Sequence, residues 1–166
     1  MKRLLILFVL LLIVGCTGPL PATPQASGPY TNAYYGFSIV PPEGWYIAEA
    51  SPGVSFLGDY DYLANIVISV DGDATTLLEY WAEEKDRLER SEIMVGTQTD
   101  QELMTTVNGY TAISVDYTYT LIEEVKAREI IIVENGNAYL ITYQTEVDMF
   151  DEHLQMFEDS LVTFSI

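Results

Sequence analysis

Cysteine and histidine are almost absent from this chain of 166 residues: Cys16 and His153 each stand alone. A lone cysteine closes no intramolecular disulfide, and a zinc site built on the lone histidine would need further ligands from elsewhere in the fold. Basic residues are scarce too, with 7 Lys and Arg against 25 Asp and Glu and a net charge of −18. Such a surface repels nucleic acid and anionic lipid headgroups, which sets the chain against nucleic-acid binding. No apolar run reaches the roughly 20 residues of a membrane-spanning helix. There is no Gly-x-Ser-x-Gly elbow, no Walker loop and no dinucleotide fingerprint, so the common nucleophilic and nucleotide chemistries lack their scaffolds.

What is present begins with a leader. Met1, Lys2 and Arg3 are followed by an apolar run from Leu4 to Val14, the length of a secretory signal core. The run ends in Ile13-Val14-Gly15-Cys16, which resembles a bacterial lipobox. The resemblance implies diacylglycerol transfer to the Cys16 thiol, cleavage after Gly15, and a protein anchored on the outer side of its cell membrane. Two acyl chains hold a protein at a bilayer stably where one does so marginally. Processing would remove two basic residues and no acid, leaving 5 against 25. Residues 16–29 carry Pro19, Pro21, Pro24 and Pro29 with no charge, and read as an extended tether. At roughly 3.1 Å per residue it could hold a domain, residues 30–166, up to about 40 Å from the bilayer.

That domain reads as α+β. Short strands are expected at Phe37 to Val40, Trp45 to Ala50, Val54 to Leu57 and Ala64 to Val70. Thr76 and Glu79 form a capping box for a helix from Leu77 to Arg90, with Leu77, Leu78, Trp81 and Leu88 on its apolar face. Glu83–Arg87 and Asp86–Arg90 are spaced to pair on the charged face. Asn108-Gly109 and Asn135-Gly136 suit type I′ hairpin turns between strand-like runs, and Ile113 to Leu121 alternates with a period of two. Three long strands in an antiparallel meander follow from this. Thr145 and Asp148 are placed to cap a second helix bearing Val147, Phe150, Leu154, Phe157 and Leu161, with a last short strand over Val162 to Ser165. The sum is one domain, with an antiparallel sheet of about six to eight strands and two main helices.

Tyr35-Gly36-Phe37-Ser38-Ile39 and Pro42-Glu43-Gly44-Trp45 resemble the opening of PsbP-like domains. The ending is similar as well: an Asn-Gly turn, Tyr139-Leu140-Ile141-Thr142-Tyr143, and a helix carrying Phe150 and Phe157 before Phe164. The resemblance covers roughly residues 34–165 and implies an α/β/α sandwich around a central antiparallel sheet. Members of that family serve photosystem II as extrinsic subunits or assembly factors that help retain calcium and chloride, and similarly folded Mog-type proteins bind the Ran GTPase. No motif carries either activity onto particular residues here.

Candidate chemistry is thin. Asp59-Tyr60-Asp61 and Asp71-Gly72-Asp73 are loop-like acidic pairs of the kind that can ligate calcium, although neither matches an EF-hand. Asp71 and Asp73 also read as turn residues ahead of a helix. His153 has Met149, Phe150, Met156 and Phe157 as same-face neighbours, none of them a usual zinc ligand. Tyr30, Tyr34, Tyr35, Tyr46, Tyr60 and Tyr62 crowd the start of the domain, as a partner surface or as half-buried strand residues. Two functions are expected to compete: a non-enzymatic binding or assembly module with a basic or cation-bridged partner, and a carboxylate-based hydrolase.

Overall fold

A computed structural model describes residues 26–58, 64–91, 95–120 and 122–166. The two Asn-Gly turns set the centre of the fold. Asn108 and Gly109 have φ of 48° and 90°, and Asn135 and Gly136 have φ of 51° and 78°. Positive φ at both positions is the type I′ signature, whose twist matches that of paired strands. The first turn joins β6 (Val95–Val107) to β7 (Tyr110–Thr120), and the second joins β8 (Glu124–Glu134) to β9 (Asn137–Glu146). The meander, expected with three long strands, therefore has four.

Four shorter strands precede it: β1 (Tyr30–Asn32), β2 (Phe37–Ile39), β3 (Tyr46–Ala50) and β4 (Gly53–Leu57). With β5 (Asn65–Gly72) they complete two sheets among the described residues: a β1–β2 hairpin and a seven-stranded antiparallel sheet ordered β3-β4-β5-β9-β8-β7-β6. Gly53 is required for close approach, since a Cβ there would run into the Ile68 carbonyl of β5. The chain crosses from β5 to the far edge through α1 (Leu77–Glu89) and ends in α2 (Phe150–Leu161).

Each face of the sheet has its own core, because alternate residues of a strand point to opposite sides. Under α1, Trp81 and Leu88 pack on Ile113, Val115, Tyr117, Tyr119, Val125, Ala127 and Ile131. Under α2 and the β1–β2 hairpin lie Phe37, Phe56, Ile130, Ile141, Tyr143, Phe150, Phe157 and Phe164. Phe157 stacks on Tyr143 at 5.4 Å and 17°. A buried phenylalanine of this kind contributes roughly 1.5–3 kcal/mol. The result is the expected α/β/α sandwich.

Several local expectations are corrected. Thr76 does cap α1, accepting from the Glu79 amide at 3.3 Å, while the Glu79 carboxylate accepts from the Thr75 and Thr76 hydroxyls. Leu78, however, is 66% exposed. Arg87 pairs with Glu84 rather than Glu83, because Glu84 sits beside it on the sheet-facing side; Asp86–Arg90 pairs as expected. Thr145 is not the N-cap residue of a helix: it is fully buried in β9 opposite Lys126, and a 3-10 turn over Val147–Met149 leads into α2, with no side-chain cap from the N-cap residues Glu146 and Met149. The last strand reduces to a single bridge between Ser38 and Ser165. Ala26, expected in the tether, is buried and paired through its backbone with Trp45 and Gly44, so ordered packing starts ahead of residue 30. Among the described residues no helix is long and apolar enough to cross a membrane.

Candidate functional site

Of the residues singled out in the sequence, Cys16, Asp59, Tyr60, Asp61 and Tyr62 lie outside the described residues. Asp71 is at the end of β5 opposite Ala138 and accepts from the Tyr80 hydroxyl at 3.4 Å. Asp73 is exposed with φ of 66°, a left-handed turn position that aspartate tolerates. The two acids are not joined by a third: among the described residues no group of three or more His, Cys, Asp or Glu side chains is placed to hold a metal ion. His153 is half-buried on α2. The early tyrosines divide. Tyr34 is 87% exposed and meets Tyr35 edge-on, whereas Tyr30 packs against Phe56 at 5.4 Å on the core's rim.

Two constellations that the sequence did not announce carry most of the polar chemistry. The first is closed. Glu129 of β8 and Glu84 of α1 are 3% and 5% exposed, between α1 and the sheet. Arg87 turns to Glu84, its Nε donating at 2.8 Å, and that pairing outweighs the burial that opposes its charge. Glu129 accepts one hydrogen bond, from the Thr142 hydroxyl at 2.9 Å, and its Oε1 has no hydrogen-bond partner among the described residues. Burial, then the Glu84 charge, push its carboxyl up to about 8. Tyr80, Tyr117 and Tyr119 surround it, with phenols raised first by burial. Two carboxylates side by side fit the hydrolase expectation on paper. Their burial does not, since a substrate must reach them.

The second constellation is open. α2 packs on β9, and beside it, over the same face of β6, β7 and β8, lies an open groove of about 450 Å³. Its floor holds Leu103, Ser114, Asp116, Arg128 and Ile130, and its α2 wall Phe157, Glu158, Leu161 and Val162. Register places Asp116 directly opposite Arg128. The Arg128 Nε and Nη2 donate to the two Asp116 oxygens at 2.7 and 2.8 Å, and Nη1 reaches Glu158 at 3.0 Å. That planar fork is the strong form of the pair, and the Asp116 hydrogen bonds hold the guanidinium up in its charged form. One cation engaged by two acids leaves the groove net negative. With apolar walls and acids at the centre, it can seat a partner that is apolar and basic; it presents no nucleophile–base pair.

No family model and no curated protein matches the chain in sequence. Solved structures do match in shape. Cyanobacterial PsbP (CyanoP) from Synechocystis superposes with a TM-score of 0.62 at 14% identity, over 90% of this chain and 98% of its own. The Ran-binding protein Mog1p of Saccharomyces cerevisiae gives 0.61 at 9% identity, over 86% and 96%. LpqN of Mycobacterium tuberculosis, involved in cell envelope biogenesis, gives 0.52 at 14%, over 87% of both chains. Matches this complete show that the chain has the PsbP/Mog-like fold.

Proposed function

We propose that this protein is a non-enzymatic binding or assembly module, tethered through a diacylated Cys16 to the outer face of its cell membrane, whose α2-side groove engages a basic partner in the envelope. The observation that carries the reading is the groove itself: open, apolar-walled, and net negative at its centre, where Asp116 and Glu158 share the single cation Arg128. The net charge of −18 adds long-range attraction for a basic surface. Similarity of fold to a Ran-binding protein and to an envelope-biogenesis protein agrees with a binding role.

The anchor and the partner are tested together. Cells fed labelled palmitate should label the wild-type chain and not Cys16→Ser; equal labelling would remove the anchor. A photo-crosslinker at the exposed Val162 should then capture a basic envelope protein at low salt and less of it at high salt. Turnover of ester, phosphoester or glycoside substrates that disappears on replacing one carboxylate would instead make the protein an enzyme.

A further inference from the structure

β6 closes the sheet on the side of the groove, and among the described residues no strand pairs with its outer edge. Native proteins protect such edges with bulges, prolines, lysines or brevity, because bare backbone donors and acceptors recruit another strand. The opposite edge, β3, is short at 5 residues. In β6 the protection is uneven. Register shifts interrupt it between Val95 and Gln98 and between Thr99 and Gln101, whereas Gln101 to Val107 pairs without a break against Asp116 to Tyr110. That smooth run, Gln101-Glu102-Leu103-Met104-Thr105-Thr106-Val107, has no proline, lysine or glycine.

Leu103 and Met104 lie in the middle of the run, 51% and 60% exposed. As neighbours in a strand they point to opposite faces of the sheet. Leu103 looks into the groove; Met104 leaves the strand on the α1 side with Glu102, which accepts from the Trp81 indole at 2.7 Å, and also borders the groove at its open edge. A strand added along the edge covers both, one on each side.

From this we infer that the bare half of β6 is a strand-addition site, and that its occupant is an extended segment of a basic partner protein. The segment joins the sheet through backbone hydrogen bonds and sets apolar side chains beside Leu103 and Met104, and its Lys or Arg residues answer the chain's net charge of −18; Glu102, the edge's own acid, already holds Lys85 at 3.1 Å. A second copy of this chain is the poorer occupant, since each carries a charge of −18. The inference rests on the binding-module reading and adds to it the edge and the conformation of the guest.

A displayed library of random eight-residue peptides selected against the full chain in detergent tests it. Enriched peptides should alternate apolar residues with Lys or Arg. Methylating the peptide nitrogens that face β6 should weaken binding at least tenfold, and bound peptide should slow amide exchange within Gln101 to Val107. Leu103→Lys with Met104→Lys should also weaken binding at least tenfold with the thermal melt unchanged, as both side chains are exposed. Basic peptides that bind with no effect of methylation and no protection of β6 would overturn strand addition and leave the binding module standing. Protection of β6 by self-association in sedimentation would overturn the basic occupant. Failure to enrich any peptide would overturn the site, while the Val162 crosslink reports on the module separately.

Discussion

Glu129 and Glu84 share one nearby cation, Arg87, and Glu84 has it. Glu129 therefore keeps its proton in the folded protein to about pH 8, against 4.5 for a free carboxyl. Between those values the folded state holds a proton that the unfolded chain has released, so this contribution to stability is complete below about 4.5 and is lost as pH rises through 8. The slope is at most about 1.4 kcal/mol per pH unit. Urea denaturation from pH 5 to 9 should show wild-type stability falling, and Glu129→Gln, which stays neutral, should remove most of that fall. Parallel curves for the two proteins would place the proton elsewhere. Gly136 makes a different prediction. Nothing lies within 4 Å of a Cβ built on it, so space is no obstacle, yet its φ of 78° resists a β-branched residue. Gly136→Val should cost more than about 1 kcal/mol, read as a drop in melting temperature. An unchanged melt would mean that the turn tolerates another geometry.

Arg128 ties three elements together, β7, β8 and α2, through Asp116 and Glu158. Truncating it strands Asp116, whose side chain is 9% exposed. Arg128→Ala should therefore cost about 2–3 kcal/mol in chemical denaturation, somewhat below a fully buried pair because water reaches the guanidinium. Arg128→Met with Asp116→Leu should recover most of the loss; a double variant no better than the single one would show that packing, not the stranded charge, sets the cost. This clamp also marks what sequence can and cannot disclose. Asn135-Gly136 and the Thr76 cap were legible because each is a local rule written in adjacent residues. β6 was not legible as a long strand: its two register shifts break the alternation, and its exposed Leu103 and Met104 impose no buried period. Thr145 read as a cap because threonine serves both roles, and only pairing with Lys126 decides for the strand. Asp116, Arg128 and Glu158 are distant in the chain, so their meeting depends on register and on where α2 lands. Glu129 left a trace that could have been followed, a charge interrupting the apolar file of Val125, Ala127 and Ile131.

At the scale of the whole molecule, 25 acids against 7 basic residues impose two effects of opposite sign. Within the folded domain like charges repel, and folding brings them closer than in the expanded chain. Added salt screens that repulsion over a Debye length of about 10 Å at 0.1 M, shorter than a domain of this size is wide. Raising NaCl from 0.02 to 0.5 M, a range chosen on the order of that screening, should thus raise the melting temperature by a few degrees. The same ions screen attraction to a basic partner, so complex formation should weaken over the same range, chiefly through slower association. A protein stabilised by salt while its complex is weakened by it separates the two effects, because loss of binding cannot then be ascribed to unfolding. Calorimetric melts and association rates measured in the same buffers decide the matter. Binding that is indifferent to salt would show that the apolar lining at Leu103, Leu161 and Val162 carries recognition, and that the acidic surface serves some other end.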